Sequence, residues 1–121
     1  MTKETLSKAD LAQFTGTEVW YNHSLIGNVL YTDGIRYVAE KAGAYWLIDE
    51  IAFGQGIPHI GSEEFQLWKL KVDLEKSTAV LTCDNGNGKI VFRTVIPYTD
   101  FPLDEIKIYF TDNVILLPSE Y

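Results

Sequence analysis

The chain has 121 residues, 46% hydrophobic and 13% aromatic, which is the size of one ordinary domain and enough apolar surface to bury a core. Its net charge of -7 repels phosphate backbones over a Debye length of about 8–10 Å, and its ten lysines and arginines are scattered in sequence with no basic tract, so direct nucleic-acid binding is not expected. No apolar run reaches the ~20 residues of a membrane span, the N-terminal MTKETLSKAD lacks a secretory hydrophobic region, and the lone Cys83 excludes an internal disulfide framework; a single cytoplasmic domain over 1–121, away from membranes, is the expectation.

In chain order, Ser7-Lys8-Ala9-Asp10 has the form of a capping box ahead of Leu11 and Phe14, predicting a short helix ended by Gly16 and folded back over the domain. The β-favouring pieces Thr17–Tyr21 and Asn28–Tyr31 flank a loop containing His23 and predict a hairpin. Thr32 or Asp33 then caps a helix whose apolar stripe is Ile35, Val38, Ala39 and Ala42, at i, i+3, i+4 and i+7. After Gly43 the stripe shifts phase to Ala44, Leu47, Ile48, Ile51 and Ala52, which predicts a break at Gly43 in left-handed conformation and a second helix ended in the same way by Gly54. Residues 55–62, rich in glycine and interrupted by Pro58, read as a mobile loop.

The clearest strand follows. Gln66, Trp68, Leu70 and Val72 share one face while Leu67, Lys69, Lys71 and Asp73 share the other. Residues 78–83 and 89–96 continue it as a meander through the turn Asp84-Asn85-Gly86-Asn87-Gly88, with the buried face of these two strands left open because both sides are apolar. Residues 101–110 fit a helix capped by Thr99 or Asp100 with Leu103, Ile106 and Phe110 inward, and they also alternate as a strand at Ile106, Ile108 and Phe110; helix is the preferred reading. Asp112-Asn113 turns into a terminal strand, Val114–Leu117. Segregated runs of this kind give an α+β fold, an antiparallel sheet made of hairpin, meander and terminal strand, with helices packed on one face.

Chemical motifs are sparse. Asp49 and Glu50 are neighbours on a helix and point about 100° apart, so they form no ready acid/base dyad; Tyr45 with Asp49 and Trp46 with Glu50 are the true i, i+4 pairs. His23 and His59 lie in loops without metal-ligand spacing, Cys83 lacks an adjacent base and reads as a small buried hydrophobe, and no phosphate-binding, dinucleotide or nucleophile-elbow motif occurs. No catalytic residue, metal or cofactor is therefore assigned.

The segments Phe14–Thr17, Trp20-Tyr21, LYTDGIRYVAEKAGAYWLIDEIA (30–52), FQLWKL (65–70) and IPYTDFPLDEIKIYF (96–110) resemble a family of small, uncharacterised bacterial single-domain proteins found on plasmids and phages as well as chromosomes. The resemblance implies a stand-alone domain and favours a protein that binds and modulates a host factor. It carries no known activity or site residue. The reading adopted is a non-enzymatic acidic domain that docks on a protein partner through Trp20, Tyr21, Tyr45, Trp46, Asp49 and Glu50, steered toward a basic surface. The alternatives are a small-molecule binding module gated by residues 54–62, and a hydrolase using His23 or His59 with a carboxylate; self-association is compatible with any of them.

Overall fold

The computed structural model describes residues 6–16 and 19–121. Thr17 and Glu18, part of the first expected strand, lie outside the described residues. The order begins with α1 (Lys8–Ala12), the strands β1 (Trp20–Asn22) and β2 (Leu30–Thr32), and the helices α2 (Asp33–Ala42), α3 (Tyr45–Gly54) and α4 (Pro58–Gly61). It continues with β3 (Phe65–Asp73), β4 (Thr78–Asp84), β5 (Ile90–Ile96), β6 (Glu105–Thr111), β7 (Val114–Leu116) and a closing 3-10 turn, Pro118–Glu120.

Local chemistry places most of these boundaries. The Ser7 hydroxyl accepts from the Asp10 N–H at 3.2 Å while the Asp10 carboxylate accepts from the Ser7 N–H at 3.0 Å, so two orphan donors of α1 are satisfied reciprocally. The helix ends at Ala12, one turn before the left-handed Gly16. Lys8 then holds Asp104 at 3.0 Å, which draws the Asp104 carboxyl below its ordinary pKa. Thr32 caps α2 by accepting from Ile35 N–H, and Gly43 closes it at φ 63°, ψ 38°. The phase shift across that residue is borne out: α2 buries Ile35, Val38, Ala39 and Ala42, and α3 buries Leu47, Ile48, Ile51 and Ala52.

Two expectations between residues 54 and 62 need correction. Gly54 is not a left-handed helix end; it lies inside α3, which closes on Gln55 in right-handed conformation. Its lack of a side chain serves packing, because a Cβ there would stand 3.0 Å from the Trp68 ring. The following segment is also not all loop, since Pro58 starts the helical turn α4 with its missing N–H at a position that needs no donor.

The seven strands form one sheet in the order β1-β2-β7-β6-β3-β4-β5. All neighbours are antiparallel except β2 and β7, which run parallel with Leu30 beside Val114 and Tyr31 beside Ile115, so the purely antiparallel sheet is corrected to a mixed one. A parallel pair requires a long crossover, here residues 33–113, and no local pattern encodes a pairing between segments so far apart.

The preferred helix over 101–110 is likewise a strand. Pro102 sits in an irregular approach where Thr99 Oγ1 accepts from Phe101 N–H, a local turn instead of a helix cap, and β6 then pairs along β3 from Lys71↔Glu105 to Phe65↔Thr111. Pairing with β3 satisfies the backbone while Ile106, Ile108 and Phe110 turn inward, so alternation prevails over the helical spacing.

The face containing Gln66, Trp68, Leu70 and Val72 is buried, as its alternation predicts. On β4 the residues left open resolve as Ala79, Leu81 and Cys83 inward, each directly opposite Val72, Leu70 or Trp68. Helices enter the same core through Ile51, Ala52 and Ile60.

Candidate functional site

The loop joining β1 to β2 is built around one imidazole. His23 is 4% exposed, and its Nδ1 accepts from the backbone N–H of Leu25 at 3.1 Å and of Ile26 at 2.9 Å. An acceptor nitrogen carries no proton, so in the neutral ring Nε2 bears it and donates to Asp49 Oδ1 at 2.7 Å. The loop closes further through His23 N–H to Val29 O at 2.9 Å and Val29 N–H to Ile26 O at 3.0 Å. Both ring nitrogens are thus engaged in holding the loop against α3. In a catalytic dyad the nitrogen remote from the carboxylate faces a nucleophile or substrate; here it faces the backbone of the chain.

Beside this clamp, one face of α3 repeats at i, i+4 and i+8 as Tyr45, Asp49 and Phe53. Tyr45 is 41% exposed and Phe53 48%, and the Phe53 ring meets His23 edge-on at 5.6 Å. Leu25, in the clamped loop, is 75% exposed. Phe53 thus packs on a fixed His–Asp bond, with Tyr45 two turns away on the same helix face, Leu25 exposed in the clamped loop and Glu50 exposed next to Asp49.

A second network lies along α2. Tyr21 donates from its hydroxyl to Asp33 at 2.7 Å and accepts from Arg36 at 3.0 Å, while the guanidinium also covers the Tyr21 ring at 4.7 Å. Tyr45 donates to Glu40 at 2.6 Å, and this bond to a carboxylate, more than burial, raises the phenol above its ordinary pKa. Arg36 stands 3.8 Å from the same Glu40.

The six residues singled out in the sequence are consequently divided. Tyr21, Tyr45 and Asp49 belong to the linked surface of α2, α3 and the hairpin loop, with Glu50 at its margin. Trp46 is half-buried against the core. Trp20 leaves the strand on the side opposite Tyr21 and lines a separate cleft with Thr111, Leu116 and Tyr121, because successive strand residues point to opposite faces. Sequence reasoning passed over Phe53 and Leu25. The i, i+8 relation of Phe53 to Tyr45 was legible; the position of Leu25 depends on His23 reaching Asp49.

The other reactive groups are absorbed by the fold. Cys83 is fully buried, and burial, aided by the charges of Asp84 and Glu63, pushes its thiol up to about 12. His59 is exposed and sits 3.0 Å from the Val91 carbonyl through Nε2, far from the role of His23 in the hairpin loop. Among the described residues no cluster of three or more His, Cys, Asp or Glu is placed to hold a metal ion. Gln55 and Gln66 form a reciprocal amide pair with two 2.8 Å bonds, to which Trp68 Nε1 adds a bond at 2.9 Å; this joins α3 to β3.

The chain belongs to a family of unknown function, DUF6876, whose model matches residues 5–121 and agrees with the resemblance to an uncharacterised single-domain family. No curated protein and no solved structure matches the chain. Among the described residues no helix is long and apolar enough to cross a membrane.

Proposed function

We propose that this member of a family of unknown function acts by binding a protein partner, through the α3 stripe Tyr45–Asp49–Phe53 and the hairpin-loop residue Leu25. The observation that carries the reading is the pairing of exposed apolar side chains with a rigid support. Leu25 and Phe53 remain exposed while the loop that carries Leu25 is fixed against α3 by the three hydrogen bonds of the His23 ring. A surface ordered before binding loses less entropy on association, and aromatic anchors contribute most of an interface's affinity. The carboxylates Glu40, Asp49 and Glu50 give the surface a negative character that suits a basic partner and accelerates encounter.

The test is a pair of charge substitutions judged against folding. Phe53→Asp should still unfold cooperatively in urea, with a loss of about 1 kcal/mol from the His23 ring contact and the like charge four residues from Asp49, and should weaken binding of the partner captured by wild-type protein by tenfold or more in calorimetry. Glu50→Lys should slow association at low salt and leave dissociation nearly unchanged. Undiminished affinity of the Phe53→Asp protein would remove this surface from binding.

A further inference from the structure

The sheet brings together cations that the sequence scatters. Registers Lys69↔Lys107, Lys69↔Thr82 and Thr82↔Arg93 set Lys107, Lys69, Thr82 and Arg93 in one row across β6, β3, β4 and β5, all on the face opposite Trp68. Lys71 stands one pleat further along that face. Four of the chain's ten basic residues therefore share one surface of a molecule whose net charge is -7. Lys71, Arg93 and Lys107 are exposed, and Val95 beside them is 56% exposed, so this part of the sheet is open.

The row is costly in isolation. Cross-strand partners have Cβ atoms about 4.5–5.5 Å apart, and like charges directly opposite destabilise a sheet. Lys69 and Lys107 are such a pair. Relief within the face is partial: Lys71 stands directly opposite Glu105, which also approaches Lys107 at 4.0 Å, whereas Lys69 and Arg93 form no ion pair among the described residues. A like-charge pair that the molecule compensates only in part is expected where something outside completes the compensation.

We propose that the open face of β6, β3, β4 and β5 is a docking surface for an acidic segment of another protein, whose Asp and Glu side chains neutralise Lys69, Lys71, Arg93 and Lys107. The neighbouring rows decide between anionic partners. Val80 and Val95 lie beside Lys71 and Glu105 on one side of the cationic row, and Leu67, Tyr109 and Asp84 lie on the other. A nucleic-acid backbone carries a phosphate at every nucleotide and would meet Glu105 and Asp84 with phosphates on both flanks. An acidic polypeptide can instead lay apolar side chains on Val80 and Val95 and direct its carboxylates at the row. This surface is separate from the α3 surface and goes beyond the function proposed for it.

Carbodiimide cross-linking in cells that express the full chain tests the assignment, because the reagent joins an amine only to a carboxylate in contact with it. The expected products are peptides linking Lys69, Lys71 or Lys107 to Asp or Glu of a second protein, at least tenfold above those at Lys76 and Lys89, which are exposed in hairpin turns. Arg93→Glu removes no reactive amine, yet should reduce these products at least tenfold with an unchanged urea midpoint. Lys69→Glu should leave the midpoint equal or higher, since it replaces a repulsion by an attraction. Linkage no greater than at the reference lysines, links solely between copies of this chain, photocross-linking of nucleic acid to Tyr109, or a lowered midpoint for Lys69→Glu would each overturn the proposal. Phe53→Asp should leave the products unchanged, so failure of either surface is read separately.

Discussion

At the scale of single residues, His23 and Cys83 show how burial turns reactive groups into structural ones. Replacing His23 by Ala would leave the Leu25 and Ile26 N–H groups without their acceptor and Asp49 without its donor, so a loss of roughly 1–3 kcal/mol in urea unfolding is expected, with amide exchange accelerated in the hairpin loop. Cys83 should resist Ellman's reagent at pH 8 in the native protein, where the thiol is buried and its pKa pushed up to about 12 keeps it protonated, and react at once in denaturant. Its pKa is raised on folding, so the fold favours the protonated thiol. That contribution is complete below the ordinary value of 9.0 and is lost as pH climbs toward about 12. Alkaline unfolding should accordingly be less steep for Cys83→Ala than for wild type, as read by fluorescence between those limits.

At the scale of elements, the break at Gly43 and the two faces of β3 are the features most exposed to test. Gly43→Val places a β-branched residue at φ 63° and should destabilise by about 1–3 kcal/mol. An unchanged midpoint would mean that α2 and α3 tolerate a continuous path. Trp68, 1% exposed and bonded through its indole N–H to Gln66, should cost roughly 3–5 kcal/mol on replacement by Ala, whereas Lys71→Ala should stay within about 0.5 kcal/mol. The element that alternation and helical spacing both fitted, residues 101–110, was decided by a partner: β3 had a free edge, and β6 fills it.

At the scale of the whole molecule, the C-terminal turn locks the start of α2. Glu120, 7% exposed, accepts from Thr32 Oγ1 at 2.6 Å, from Gly34 N–H at 3.2 Å and from Leu117 N–H at 3.0 Å. A Cβ at Gly34 would stand 2.6 Å from that carboxylate, so a larger residue there would have to displace the Glu120 and Leu117 side chains. Glu120→Ala should cost about 1–3 kcal/mol by stranding buried donors, and Glu120→Gln, which keeps an acceptor oxygen, should recover part of the loss in the same unfolding experiment.

What the sequence by itself determined is local in origin. The capping box at Ser7, a cap at Thr32 or Asp33, the phase change at Gly43, the glycine turn at 84–88 and the buried side of β3 are all written in patterns a few residues long, and all are present, with Thr32 as the cap. Tertiary structure alone decided the parallel β2–β7 pair, the strand at β6, the clamp from His23 to Asp49 and the row of cations on the open face. Each of these joins residues distant in the chain, through a register or a side-chain reach that hydrophobic periodicity does not carry. The candidate surfaces were legible only in part for the same reason: Tyr45, Asp49 and Phe53 share a helix, whereas Leu25, Lys69, Arg93 and Lys107 acquire their neighbours from the folded sheet and loop.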